Sequence, residues 1–428
     1  MADHNWGFRT RAVHAGGRPD SNTGARTVPI YQSTSFVFED TADAADLFAL
    51  QKYGNIYTRI SNPTSAAFEE RMAALEGGIG AVATASGQAA EFLTVAALAE
   101  SGDNLVSSSA LYGGTHTMFS NTLGRLGIET RFVDGDDLEA FASRIDNCTR
   151  FLYTEIIGNP SGSVADLKAL GDLASSYNLP LVVDSTLATP YLCRPFEFGT
   201  DIVIHSATKF IGGHGTSIGG VVVESGRFDW GSGRFDSMTE PSTSYNNLRF
   251  WENFGEYAFC TKLRSEQLRD IGASLSPFNA FLLLQGLETL PQRMDEHVKN
   301  AKLVAEFLDN HPSVSWVAYA GLPSSPYYEL AQQYMPKGPG AVFTFGVKGG
   351  RVAGAKFIEN LIMISHLANI GDVRTLVIHP ASTTHQQLSD EDMEEGGVTS
   401  DMVRLSVGLE DLEDIFWDLD QALNQATK

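Results

Sequence analysis

Lys209 stands where a covalent amine could work. It follows Ser206-Ala207-Thr208, just after the apolar run Asp201-Ile202-Val203-Ile204 and just before Gly212-Gly213-His214-Gly215. A lysine at a strand end, flanked by hydroxyls and glycines, is placed to form a Schiff base with an aldehyde. Imine formation needs the neutral amine, so burial or positive neighbours must lower the lysine's pKa. Taken alone, a lysine in a loop is more often a solvated charge.

Two further segments shift that balance. Leu181-Val182-Val183-Asp184 ends a buried strand on a carboxylate. A carboxylate opposite a pyridine nitrogen keeps it protonated and turns the ring into an electron sink, which is what pyridoxal 5'-phosphate (PLP) asks of its protein. By itself Asp184 reads equally well as a helix N-cap before Ser185-Thr186. Thr84-Ala85-Ser86-Gly87-Gln88 opens the helical pattern Ala89–Glu100. Ser86, Gly87 and Gln88 therefore offer backbone N–H groups at a helix N-terminus, where a phosphate dianion binds. Ser206 and Thr208 add hydroxyl donors from the lysine segment, and an ordinary Ser N-cap is the plain alternative.

Other chemistries fail on context. Gly212–Gly220 precedes a strand instead of opening a helix, and neither a phosphate loop ending in Gly-Lys-Ser/Thr nor a His-Glu-x-x-His motif occurs. His379 and His385 flank Pro380–Thr384 without further ligands nearby and read as structural or substrate-side residues.

These residues need a scaffold, and the pattern supplies one. Residues 1–61 alternate polar and aromatic positions with little periodicity from Phe8 onward, which predicts an extended arm lying on another surface. Residues 62–273 alternate short apolar runs (Asn104–Ser108, Thr130–Val133, Phe151–Thr154, Leu181–Asp184, Asp201–His205, Gly220–Val223) with helical patterns. This is the rhythm of an α/β domain with a mostly parallel sheet. Residues 274–428 read as a smaller α+β domain: one long helix over Ala280–Leu308, a strand over Gly340–Val347, a helix near Ala353–Ile364, and strands near Arg374–Ile378 and Val403–Ser406. The acidic Asp390–Glu395 reads as a solvated loop.

With 30 Lys plus Arg against 52 Asp plus Glu, the net charge of −22 argues against nucleic acid and anionic membrane as partners. Cys148, Cys193 and Cys260 are too few and too scattered for a disulfide framework or a zinc cluster, and fit a reducing cytoplasm. No apolar run approaches a membrane span, and the N-terminus lacks a signal-peptide core.

Read together, these residues resemble the Cys/Met-metabolism family of PLP-dependent enzymes, which includes cystathionine synthases and lyases, methionine γ-lyases and O-acetylhomoserine sulfhydrylases. The resemblance covers nearly the whole chain. It rests on Tyr57-Thr58-Arg59-Ile60-Ser61-Asn62-Pro63-Thr64, Ser86-Gly87, Leu111-Tyr112-Gly113-Gly114, Asn159-Pro160-Ser161-Gly162, Asp184-Ser185-Thr186, Ser206-Ala207-Thr208-Lys209 and Arg404-Leu405-Ser406-Val407-Gly408.

The resemblance implies the aspartate aminotransferase-like fold of PLP-dependent transferases. It assigns Lys209 the covalent link, Asp184 the pyridinium nitrogen, Tyr112 the stacking position with a share in proton handling, and Asn159 the ring hydroxyl. It gives the phosphate to Ser86, Gly87, Gln88, Ser206 and Thr208, with Tyr57 and Arg59 reaching over from a neighbouring subunit of a homotetramer. Arg404 becomes the substrate-carboxylate clamp, and a guanidinium suits that task because it grips a carboxylate through two parallel hydrogen bonds.

Leu367-Ala368-Asn369-Ile370-Gly371-Asp372, followed by Val377 to His385, is similar to the sulfhydrylase branch, with Asn369 and Thr384 on the substrate side. Asn369 stands where many lyases and cystathionine synthases have serine, and Gly114 where methionine γ-lyases have cysteine. The expected reaction replaces the γ-acetoxy group of O-acetyl-L-homoserine by sulfide, giving L-homocysteine and acetate, a step of methionine biosynthesis. A methionine γ-lyase or cystathionine γ-synthase type of activity is the alternative.

Overall fold

The protein, seen as a computed structural model, is described at residues 5–383 and 398–427. Seven strands form the larger sheet among those residues: β1 (Gly80–Thr84), β2 (Asn104–Ser108), β3 (Glu129–Val133), β4 (Thr149–Glu155), β5 (Leu181–Asp184), β6 (Ile202–His205) and β7 (Gly220–Glu224). Their order is β1-β7-β6-β5-β4-β2-β3. Only β7 runs against its neighbours, and the other pairs are parallel.

A parallel sheet is covered on both faces, so its strands are apolar throughout and do not alternate. Successive side chains still point to opposite faces. Val183, Val203 and Val221 therefore join one core, while Val182, Ile202 and Val222 join another on the far face. Each fully buried aliphatic side chain contributes roughly 1.5–3 kcal/mol.

Five strands make the smaller sheet among the described residues: β8 (Val314–Ala318), β9 (Val342–Val347), β10 (Ser365–His366), β11 (Leu376–Ile378) and β12 (Met402–Ser406). They lie in the order β10-β11-β12-β9-β8. The single long helix expected over Ala280–Leu308 is two helices, Pro277–Glu288 and Leu290–Asp309, broken at Thr289. Pro291 suits a helix start and not a helix interior: it has no N–H to donate to the carbonyl four residues before it, that of Leu287 in the preceding helix.

The arm also differs from an extended segment. It contains the helices Phe8–His14 and Thr41–Phe48, and the first docks on its own chain. Ala12 is fully buried, Arg11 Nη1 donates to the Ala74 carbonyl at 2.6 Å, and the Phe8 ring lies 5.3 Å from that of Tyr191. The second half of the arm keeps Val37, Phe48 and Tyr53 exposed. The acidic segment Asp390–Glu395 lies outside the described residues. No helix among the described residues is long and apolar enough to cross a membrane.

Candidate active site

Ligands of parallel α/β sheets bind beyond the carboxyl ends of the strands, because the loops that leave those ends converge there. Here β1 leads to Ser86, β2 to Tyr112, β4 to Asn159, β5 ends on Asp184, and β6 leads to Lys209. They share one cavity of about 260 Å³ with Asn369 and Arg404, which come from the smaller sheet's side.

Lys209 Nζ donates to Asn369 Oδ1 at 2.6 Å. Burial first, then the positive charge of Arg404, pull the Lys209 ammonium down to about 8. The amine is thus half neutral near pH 8, as a nucleophile or proton acceptor must be. Arg404 lies on β12, and its Nη1 donates to Asn159 Oδ1 at 3.2 Å. Among the described residues it has no carboxylate partner, and burial lowers its pKa. A desolvated guanidinium without an anion of its own is ready for one from a ligand.

The helix Gly87–Leu98 begins in the cavity. Ser86 caps it by accepting from the Ala89 N–H at 3.1 Å, so the free N–H groups of the first turn are those of Gly87 and Gln88. A Cβ at Gly87 would lie 2.6 Å from Ser206 Cβ, and only glycine lets the helix end approach the lysine segment so closely. The Gln88 side chain donates to Glu91 at 2.7 Å. Thr208 Oγ1 exchanges hydrogen bonds with the backbone of Gly219 at 3.0 and 3.1 Å. Thr186 Oγ1 accepts from the Ser206 N–H at 2.8 Å, which ties the lysine segment to the aspartate strand.

Asp184 Oδ1 accepts from the Thr186 N–H at 2.7 Å, and burial raises the Asp184 pKa. A cationic ring nitrogen opposite would act the other way. Tyr112 stands half exposed at the cavity mouth, and its N–H donates to Glu155 Oε1 at 2.6 Å. A Cβ at Gly114 would meet the Tyr112 ring at 2.5 Å, so the absent side chain there sets where this tyrosine can sit.

This donor set fits PLP. An amine, a carboxylate, an aromatic side chain and a helix N-terminus surround one cavity large enough for a pyridine ring, with the two N–H groups of the helix end free for a phosphate. Tyr57 and Arg59 are not among the lining residues. In this chain Arg59 donates to the Arg269 carbonyl and packs on the Tyr57 ring at 5.5 Å. Thr384 and His385 lie outside the described residues. His379 is buried, with Nδ1 2.7 Å from Ser382 Oγ and Nε2 3.0 Å from the Ser400 carbonyl, so both of its nitrogens are engaged within the fold.

Sequence reasoning missed Glu91 and Glu155, which also line the cavity. One signal for Glu155 was available: it directly follows the apolar run Phe151–Thr154, a carboxylate at a strand end as Asp184 is, and the structure sets the two side by side in register. Glu91, one acid in an alanine-rich helical pattern, carried none beyond its spacing of three from Gln88, which puts the two on one helix face.

Comparison with known proteins agrees with this geometry. The family model described as Cys/Met metabolism PLP-dependent enzyme matches residues 9–424. The chain is 50% identical over 428 residues to the O-acetyl-L-homoserine sulfhydrylase of Leptospira meyeri, covering 98% of this chain and 97% of that protein. It is 50% identical over 422 residues to the homocysteine synthase of Schizosaccharomyces pombe, covering 98% of each. The crystal structure of a putative O-acetylhomoserine (thiol)-lyase from Campylobacter jejuni, which carries a pyridoxyl-lysine monophosphate, superposes with a TM-score of 0.95 at 39% identity, covering 98% of this chain and all of that one. With a match across nearly its whole length, the chain belongs to the Cys/Met metabolism family of PLP-dependent enzymes.

Proposed function

We propose that this enzyme is an O-acetyl-L-homoserine sulfhydrylase, which breaks the Cγ–O bond of its substrate, forms a Cγ–S bond with hydrosulfide, and releases acetate and L-homocysteine. The observation that carries the reading is the pairing of Lys209 Nζ with Asn369 Oδ1 at 2.6 Å, in a cavity that also holds Arg404 and Asp184. The relatives' names support the same reaction.

PLP, when bound, supplies the electron sink for a carbanion at Cα. Gly87 and Gln88 hold its phosphate through their N–H groups, aided by Ser86, Ser206 and Thr208. Asp184 would hold the ring nitrogen, Tyr112 would cover the ring, and Asn159, bonded to Arg404, would take the ring hydroxyl. Arg404 grips the substrate carboxylate and so aims Cα at Lys209. Lys209 Nζ removes the α-proton, and Asn369 Oδ1 holds that nitrogen in place between transfers. Tyr112 shares in moving protons near Cβ, whose loss of a proton accompanies departure of acetate from Cγ. Thr384 completes the substrate side.

Tyr57 and Arg59 bind the phosphate of a neighbouring subunit, in a cytoplasmic homotetramer with shared sites. Their position outside this chain's own cavity and the exposed apolar residues of the same arm support that reading.

The test compares kcat/KM for homocysteine formation from O-acetyl-L-homoserine plus sulfide with that for α-ketobutyrate release from methionine, at one pH and cofactor level. Sulfide transfer should be the faster. Faster methionine cleavage would make the enzyme a γ-lyase and would defeat the reading of Asn369 and Gly114.

A further inference from the structure

Three carboxyl groups meet on one side of the cavity: Glu91 from the helix Gly87–Leu98, Glu155 from the end of β4, and Asp184 from the end of β5. Among the described residues their hydrogen-bond partners are neutral. Glu91 Oε1 accepts from the Tyr153 hydroxyl at 2.9 Å and from Thr115 Oγ1 at 2.9 Å, while Oε2 accepts from Gln88 Nε2 at 2.7 Å. Glu155 accepts from the Tyr112 N–H and Asp184 from the Thr186 N–H. The cationic candidate nearby, His205 on β6, has its Nε2 2.5 Å from Glu76 Oε1 and is committed there.

Glu91 and Glu155 are buried and Asp184 is partly so; three such neighbours resist ionising together, because each added charge raises the proton affinity of the others, and the charge of His205 favours an ionised Asp184 alone. A bound PLP brings one positive charge to this corner, on its ring nitrogen, and that balances one carboxylate. Burial favours the protonated form of the other two, Glu91 and Glu155. Lone-pair counting fits Glu91 as one of them. Thr115 Oγ1 lies 2.9 Å from Oε1 and 3.0 Å from Oε2 but has one proton to give; given to Oε1 beside that of Tyr153, it leaves Oε2, which accepts from Gln88, room for one O–H to donate. The Glu91 and Asp184 side chains lie close enough for one to donate to the other once one of them carries a proton.

We propose that Glu91 is a positioning residue for the cofactor's ring nitrogen: as a neutral carboxylic acid it donates its proton to Asp184, fixes that carboxylate, and keeps it ionised against the pyridinium. The inference rests on the assignment of Asp184 to the ring nitrogen. Burial, followed by the charge of Asp184, pushes the Glu91 carboxyl up to about 8, and burial also keeps its donor Tyr153 protonated. Without the Glu91 donor, Asp184 would hold a proton more tightly, and the proton shared with the ring would move toward Asp184.

The test uses PLP-loaded wild type, Glu91→Gln and Glu91→Met at pH 7. Infrared difference spectra between wild type and Glu91→Gln should show one protonated carboxyl C=O band lost with the glutamate. Nitrogen NMR of ring-labelled PLP should show a pyridinium in wild type and in Glu91→Gln, whose amide N–H can still donate to Asp184, and a shift toward neutral pyridine in Glu91→Met. Homocysteine synthesis should fall about tenfold or more in Glu91→Met, the effect of one lost hydrogen bond to a charged group, and Gln should recover most of that loss.

A carboxylic-acid band unchanged between wild type and Glu91→Gln overturns the proposal, and this reading stands even should the Met variant fail to fold. A pyridinium signal in a folded Glu91→Met protein equal to that of wild type also overturns it. Asp184→Asn serves as the control: an unaltered ring-nitrogen signal there removes the assignment on which the proposal rests, and so separates that failure from a failure at Glu91.

Discussion

Replacing Arg404 by methionine removes a charge while keeping a side chain of similar reach, and the structure sets the size of the effect. Within the described residues the guanidinium meets only Asn159, at 3.2 Å, and its pKa is lowered chiefly by burial. A hydrogen bond to a charged group is worth about 1.5–3 kcal/mol, so a two-pronged grip on the substrate carboxylate stabilises it by about 3–5 kcal/mol, the range found when one partner of a buried pair is removed. At about 1.4 kcal/mol per tenfold, kcat/KM should fall by roughly 10² to 4 × 10³.

A clamp that grips ground and transition states alike would show most of that loss in KM. Two further consequences follow from the same charge. Arg404 is the second cause of the lowered Lys209 pKa, so in Arg404→Met the pH at which the apoenzyme captures PLP should move up from about 8. Burial still acts there, which keeps the shift below the ordinary lysine value. A folded-state arginine pKa below the usual value means that the fold disfavours the charge, so removing it should leave Tm unchanged or higher at neutral pH. Initial rates of homocysteine release, PLP capture against pH, and thermal unfolding measure the three. A loss below about fivefold in kcat/KM, roughly 1 kcal/mol, would refute the clamp, and a fall in Tm would refute the reading that the fold disfavours the charge.

Borohydride reduction of the PLP-loaded protein should fix the cofactor on Lys209, with no adduct in Lys209→Ala; peptide mapping to another lysine would remove the assignment. Mixing Arg59→Ala and Lys209→Ala chains should restore part of the activity, since one hybrid site then holds both wild-type residues, and absence of rescue in verified mixed oligomers would place the phosphate contacts within one chain. Burial raises the Asp201 carboxyl to about 6, so the stability it contributes when protonated is lost as pH rises through about 6. Asp201→Asn, which keeps an acceptor for the Leu181 N–H that Asp201 Oδ2 holds at 3.0 Å, should therefore flatten the decline of Tm between about pH 4 and 6, from the ordinary aspartate value of 3.8 to the folded one; an unchanged slope would show that another group causes it.

What the sequence determined by itself is local. β2 and β5 coincide with the apolar runs Asn104–Ser108 and Leu181–Asp184, because a strand buried on both faces has to be apolar along its length. β1 escaped notice because Ala81 and Ala83 give too weak an apolar signal, and the break at Thr289 because helical periodicity continues on either side of it. The helix Leu412–Ala426 was legible in Ile415, Leu419, Ala422 and Leu423, spaced to share one face, yet it was not among the expected elements. Lys209, Asp184 and Ser86 could be picked out because each sits where a strand or helix ends, a position that neighbouring residues reveal.

Convergence was decided only in three dimensions. That Lys209 meets Asn369, 160 positions away, and that Arg404 faces Asn159 across 245 positions are facts about how segments of the smaller sheet's side meet the loops of the larger one; that Gly87 must lack a side chain to pass Ser206 is a fact about the convergence of loops that leave the larger sheet. The grouping of Glu91, Glu155 and Asp184 is of the same kind. An acid in a helix is ordinarily a solvated charge, and it becomes part of a shared-proton cluster only when folding strips away water and brings two more carboxyls against it, because electrostatic coupling depends on distance and dielectric and not on position along the chain.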